Sequence, residues 1–269
     1  MEPKMWIPDE IPLDKPNAAR MYDYFLGGYH NFEADRVIAE KIYQVYPDIG
    51  LSGQVCRANL RRTINFLIEQ GIDQFLDIGS GIPTVGNVHE VAQKANPAAR
   101  IIYVDIDPVA VAHCKAMLED NPNATAISGD VGQPEQILNH AEVKRLLDLS
   151  KPVAVLLFSV LHYVLDTDQA YRAVRTLRDV VTPGSYIAIQ YFSTEGGPPG
   201  VVEQMQKLLA DSIPTVALTR ADILKFFDGL EMVEPGLVYP SLWRPEGPDD
   251  LWLDQPNRCL GFAGVGRKP

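Results

Sequence analysis

Phe75-Leu-Asp-Ile-Gly-Ser-Gly-Ile-Pro-Thr84 decides how the rest of the chain is read. A short apolar run ends in Asp77, and Gly79 and Gly81 follow with one residue between them. Glycine turns a chain without a Cβ penalty. Pro83 suits the first turn of a helix, where its missing N–H costs nothing. Strand, glycine loop and helix in that order bring a ligand against the backbone at a helix N-terminus. The spacing departs from a dinucleotide fingerprint: Pro83 stands where that pattern wants glycine, and an acid precedes the first glycine. Alone, the loop fits a tight turn as well as a nucleotide site.

Downstream, strand-like runs alternate with helix-like segments. Strands are expected at 75–78, 101–104, 124–128, 153–158 and 185–191. Helices are expected at 84–94, 109–118, 133–148 (in two pieces), 166–181, 201–210 and 220–227. Two closing strands, 232–239 and 259–265, have no helix between them and read as an antiparallel pair. This alternation predicts an α/β fold, a mostly parallel sheet built from right-handed strand–helix–strand units. Upstream, Pro3, Pro8, Pro12 and Pro16 suggest an extended arm. Asn17 can cap a helix over 18–26 that Gly27-Gly28 ends. A second helix spans 33–46, and a third runs from Ser52 to about 70. Arg57 and Arg61 lie four apart on one face of the third. The simplest division is an N-terminal arm and helical extension over 1–71 and a core over 72–269.

The 269 residues suffice for one large, well-buried domain. A formal net charge of −11 argues against a broad nucleic-acid or anionic-lipid surface. Cys56, Cys114 and Cys259 are widely spaced, without a Cys-x-x-Cys pair, which argues against a zinc knuckle and for a reducing compartment. There is no signal-peptide core near Met1 and no run long enough to span a membrane. The expectation is a cytoplasmic protein.

In an open α/β sheet, ligands bind beyond the carboxyl ends of the strands. Four loops matter: Gly79-Ser80-Gly81, Asp105-Ile106, Asp130-Val131, and the segment from Phe158-Ser159 to His162. An acid after the second strand can accept both hydroxyls of a ribose, and one after the third can accept from an adenine amine. Each has a plainer reading. Asp105 or Asp107 can cap the helix opened by Pro108, Asp130 can serve a turn, and Asp77 can orient the loop. The set, in order and at the right strand ends, is far more specific than any member.

The set resembles the motifs of class I S-adenosylmethionine (SAM)-dependent methyltransferases. Five stretches narrow the resemblance: Arg20-Met-Tyr-Asp-Tyr-Phe-Leu-Gly-Gly-Tyr-His-Asn-Phe32 with Asp35-Arg36, Arg57-Ala-Asn59-Leu-Arg61-Arg62, residues 77–84, Gly86-Asn-Val-His-Glu90 and Tyr103-Val-Asp-Ile-Asp-Pro108. They are similar to a bacterial family first catalogued as a domain of unknown function and later renamed as S-adenosyl methyltransferases, over about residues 16–266. The resemblance implies a Rossmann-like seven-stranded sheet, mostly parallel with its last strand antiparallel, plus the N-terminal extension. It implies SAM as cofactor, with Gly79, Ser80 and Gly81 near its methionine portion. Asp105 would bind the ribose, Asp130 and Val131 the adenine, and Phe158 and Ser159 the inner side, with Ile106 also among the cofactor-binding residues.

The N-terminal motif suggests a lid over the cofactor, with Tyr22, Tyr24, Gly28, His30 and Asn31 as candidates, since a sulfonium attracts aromatic faces and oxygen acceptors. An aromatic helix simply packed on the sheet is the alternative. Methyl transfer needs an aligned nucleophile and a dry site. If the nucleophile carries a proton, His162 is the first candidate base and His30 the second. Both can equally be packed residues, and His89 reads as structural. No metal constellation is visible. The loop after the fourth strand, Phe158-Ser-Val-Leu161, lacks the Asp/Asn-Pro-Pro-aromatic pattern of many nucleic-acid methyltransferases. With the acidic charge, that points to a small-molecule acceptor and away from nucleic acid. The loop at 193–200 and the segment at 243–256, with Trp243 and Trp252, are expected to shape its pocket. Two alternatives stand beside methyl transfer: a SAM-binding sensor or inactive homologue, and a nicotinamide-dependent oxidoreductase. The sequence is silent on oligomeric state.

Overall fold

A computed structural model describes residues 13–84 and 86–269; the expected arm prolines at 3, 8 and 12 fall outside them. Among the described residues there are seven strands in one sheet and ten α-helices. The strands are β1 (Gln74–Ile78), β2 (Arg100–Asp105), β3 (Ala124–Ser128), β4 (Ala154–Phe158), β5 (Tyr186–Phe192), β6 (Glu231–Met232) and β7 (Gly261–Arg267). Their spatial order is β3-β2-β1-β4-β5-β7-β6. β1 to β5 are parallel, and β7 runs antiparallel between β5 and β6. The Rossmann-like seven-stranded sheet expected from the resemblance is present.

Alternation along each strand sorts side chains onto two faces. One face carries Leu76, Ile78, Ile102, Val104, Val155 and Leu157. It is covered by α6 (Pro134–Asn139), α7 (Ala141–Leu146), α8 (Thr167–Val180) and α10 (Arg220–Leu224). The other carries Phe75, Ile101, Tyr103, Ala154 and Leu156, under α3 (Ile49–Glu69), α4 (Val88–Ala95) and α5 (Pro108–Met117). Both faces are dry, which explains the continuous apolar run of β4. Helix α3 supplies Leu60, Ile64, Phe66 and Leu67 to this second layer, so that part of the extension belongs to the core. A third cluster joins α1 (Ala18–Phe25), α2 (Glu33–Val45) and the start of α3 to α9 (Val201–Leu209) through Met21, Ile42, Val55 and Met205. No helix among the described residues is long and apolar enough to cross a membrane.

Several boundaries differ from the sequence reading. Pro83 does not open a helix: α4 starts at Val88, behind a box in which Asn87 N–H donates to Glu90. Ser52 is buried inside α3 rather than capping it. The expected strand 232–239 pairs only at Glu231–Met232 and again at a single bridge, Val238 to Ala263. Between them Pro235 has no N–H to offer and Gly236 turns with φ +84°. Asn17 caps α1 as expected, accepting from Ala19 N–H at 2.8 Å.

The N-terminal motif is organised by two buried carboxylates. Asp35 accepts from Asn17 N–H, Phe32 N–H and Arg20 Nε at 2.8–2.9 Å. Arg20 also lies 3.7 Å from Asp107 Oδ2, which ties α1 to the loop after β2. Asp23 accepts from His30 N–H at 2.8 Å and Asn31 Nδ2 at 2.9 Å. A Cβ on Gly28 would stand 2.0 Å from Asp23 Oδ1, so only glycine fits there.

Two outcomes follow for stability. Asp35→Ala strands a buried guanidinium and two N–H groups, and should cost about 3–5 kcal/mol in urea unfolding. Burial, with a smaller push from Asp105 and against the pull of Arg57, raises the Asp77 carboxyl to about 7. The native state then holds a proton that the unfolded chain has released, so its stability falls as pH rises from about 4 to about 7. Asp77→Asn removes this dependence, and thermal melts should show the variant gaining on the wild type between pH 5 and pH 8.

Candidate active site

The strand order reverses between β1 and β4, and a cavity of 520 Å³ opens there beyond the strand ends. Its floor is the glycine loop. Gly79 and Ser80 N–H groups both donate to Val104 O, at 2.8 and 3.1 Å. Gly79 has φ +76°, and a Cβ there would sit 2.4 Å from Val160, so no other residue fits. Gly81 has φ +68° with open space where a Cβ would be.

Asp105 closes one side. Its Oδ2 accepts from Gly81 N–H at 2.7 Å and its Oδ1 from Asp107 N–H at 2.9 Å. These bonds aim the carboxylate and leave each oxygen a further lone pair. Burial raises its pKa, partly offset by the same two N–H donors. Asp107, not Asp105, caps α5, accepting from Val109 N–H at 2.7 Å. Asp130 holds its own turn, accepting from Gly132 N–H at 2.8 Å, and still lines the cavity. Ile106 and Leu165 stand at the lining as exposed apolar side chains.

Ten sequence-derived candidates converge on this cavity: Gly79, Ser80, Gly81, Asp105, Ile106, Asp130, Val131, Phe158, Ser159 and Tyr22. Tyr22 arrives from α1, whose Asn17, Ala18 and Ala19 also line the space. Gly28, His30 and Asn31 are not brought there. They serve the Asp23 cluster, and the His30 ring lies against His113 at 4.1 Å. Tyr24 turns away to bond Glu40. His89 is structural, its N–H donating to Tyr103 Oη at 2.8 Å.

His162 lies beside a second, smaller chamber of 140 Å³. The two spaces share Ala18, Tyr22, Cys56, Ser159, Tyr163 and Gln190 as lining. His162 is buried, which lowers its pKa to about 3, and its Nδ1 has no hydrogen-bond partner. Trp243 and Trp252 line neither space and pack in the core. The 193–200 loop is also absent from both linings; the segment at 212–215 takes its place.

Three residues here were given no role in the site from the sequence, although Arg57 and Asn59 stand in one of the quoted stretches. Arg57, on α3, is the one cationic side chain lining the larger cavity among the described residues, and its Nη2 donates to Gly86 O at 3.0 Å. Gln190 and Asn59 extend a buried chain: Asn59 Nδ2 donates to Gln190 Oε1 at 3.1 Å, and Gln190 Nε2 donates to Ser159 Oγ at 2.9 Å. Ser159 sits at φ +57°, a conformation costly for a residue with a Cβ. A glutamine amid the apolar run of β5 was the available signal.

The comparisons bear on this geometry. The profile of the S-adenosyl methyltransferase family matches residues 4–269. A crystal structure from Thermobifida fusca, provisionally named a methyltransferase, is 43% identical, covers 98% of each chain and superposes with a TM-score of 0.91. A DUF574 family protein from Streptomyces avermitilis is 33% identical over 96% of this chain and 99% of its own, with a TM-score of 0.90. Among curated proteins none matches this sequence. With a match across nearly its whole length, the chain belongs to the S-adenosyl methyltransferase family, whose cofactor is S-adenosylmethionine.

Proposed function

We propose that this chain transfers the methyl group of SAM to a small molecule, with the cofactor lying in the 520 Å³ cavity. That volume falls within the range of about 300–1,000 Å³ usual for small-molecule sites. The observation that carries the reading is Asp105, a buried carboxylate aimed by two N–H groups into a cavity floored by a glycine loop.

Each part of the cofactor has residues in this lining that would hold it. Asp105 accepts from the two ribose hydroxyls. Ile106 and Leu165 offer apolar faces to the purine ring, with Asp130 and Val131 at its edge. Arg57 faces the methionine carboxylate, and Gly79, Ser80 and Gly81 let that portion approach the backbone. Tyr22 and the start of α1 form the lid that separates the sulfonium from water. Bound there, the cofactor would supply an electrophilic methyl group, the S–CH3 electron pair going to sulfur as an acceptor lone pair forms the new bond. The protein's own part is to align the acceptor, exclude water and hold the acceptor's proton. Among the described residues no Asp, Glu, Lys or Arg lines the smaller chamber, which supports a small neutral acceptor rather than nucleic acid.

Two binding measurements test the assignment. Asp105→Asn should weaken S-adenosylhomocysteine binding by about 10–100-fold in calorimetry, the scale of a lost charge-assisted hydrogen bond; unchanged affinity in a folded variant would remove Asp105 from the site. Arg57→Met should weaken S-adenosylhomocysteine by about tenfold or more. It should leave methylthioadenosine, which lacks the carboxylate, nearly unaffected, and equal losses for both ligands would count against the carboxylate contact.

A further inference from the structure

We propose that the 140 Å³ chamber beside the cofactor cavity is the acceptor site, and that it takes a neutral compound with a single six-membered ring bearing one hydroxyl or amine. This rests on the cofactor reading above and names the class of acceptor.

Four observations converge. The first is size. A cavity of about 150 Å³ lined by apolar side chains accommodates benzene, so this chamber's 140 Å³ matches one ring better than a fused pair. The second is the wall. Met21 and Phe25 on α1, Ile42 on α2, Met205 on α9, Phe192 on β5 and Leu260 form an apolar belt. Methionine adapts its shape and its sulfur attracts ring edges, which suits a flat aromatic guest.

The third is charge. Among the described residues no Asp, Glu, Lys or Arg lines the chamber. An ionised guest would lose its hydration there with nothing to replace it. The fourth is polarity without partners. His162 Nδ1 and Thr215 Oγ1 both belong to lining residues, are buried, and make no hydrogen bond within the protein. Burial keeps the imidazole neutral, so the ring retains one lone pair and one N–H. A guest hydroxyl or amine donating to His162 Nδ1 would satisfy it. Orphaned buried groups of this kind are costly to leave unpaired, and a ligand that pairs them recovers part of that cost.

The chamber also abuts the cofactor cavity, with Tyr22, Ser159, Tyr163 and Gln190 lining both. A ring seated against Met205 can therefore direct its polar atom toward the shared wall. His162 then accepts the acceptor's proton as the oxygen or nitrogen lone pair bonds the methyl group, and the proton leaves to water when the product departs. The N-terminal helices thus supply the acceptor's walls and not only a cover.

The test uses the full chain saturated with S-adenosylhomocysteine, with phenol, benzoate and 2-naphthol as probes at pH 7. Methionine methyl groups carrying 13C report ring contact directly. Phenol should shift the Met21 and Met205 methyl signals and bind measurably. Benzoate and 2-naphthol should bind at least tenfold more weakly. His162→Phe should weaken phenol about tenfold but leave toluene unchanged. Met205→Trp should abolish both while S-adenosylhomocysteine affinity stays within twofold. Leu209→Phe serves the same purpose if the tryptophan variant melts early.

If S-adenosylhomocysteine binds but phenol leaves both methionine signals in place, the acceptor assignment fails and the cofactor reading stands. Benzoate binding as well as phenol, or phenol binding undisturbed by either filling variant, overturns it equally. Failure of S-adenosylhomocysteine to bind the wild type overturns the cofactor reading and this assignment with it.

Discussion

The site exists because the helices after β1 and β4 leave the sheet on opposite faces. β1 feeds α4 on one face and β4 feeds α8 on the other. Right-handed crossovers permit no other arrangement when strand order reverses. The loops after these two strands must diverge, and the space between them is the cofactor cavity. The hydrogen bond from Gly81 N–H to Asp105 Oδ2 then joins the β1 and β2 loops into one rigid floor. Asp107, two residues on, caps α5 and faces Arg20, so the same short loop anchors the N-terminal lid.

The lid is held by charge as well as by packing. Arg20 and Asp35 are both buried, and Asp35 uses its two oxygens on three donors. Such a pair is costly to desolvate and is strongly destabilising when broken. It sets α1 at one angle, which brings Tyr22 to the cavity and Met21 and Phe25 to the chamber behind it. Stability of the N-terminal helices and shape of the two spaces are therefore one problem.

Much of this was legible in the sequence. The short apolar runs of β1, β4 and β5 locate the sheet, and Asp77, Asp105 and Asp130 appear in order at or near strand ends. Misreadings came where two local signals competed. Pro83 looked like a helix start, yet the Asn87–Glu90 capping pair four residues later began the helix. Gly28, His30 and Asn31 looked like a cofactor lid, yet Asp23, seven residues before His30, drew its backbone N–H and the Asn31 amide to itself. Residues adjacent in a loop can point to opposite sides, and no spacing rule decides which.

The sequence by itself determined the sheet, the glycine loop and the acids that flank it. Those depend on hydrophobic period and on backbone conformations that only certain residues adopt. What only the tertiary structure decided was which distant side chains meet across the crevice. Arg57 on α3 reaches the glycine loop's cavity, and His162 faces a chamber walled in part by α1 and α2, more than a hundred residues away in the chain. The choice between solvent, cavity and core for such groups rests on how whole layers pack. That is a property of the assembled fold and not of any segment.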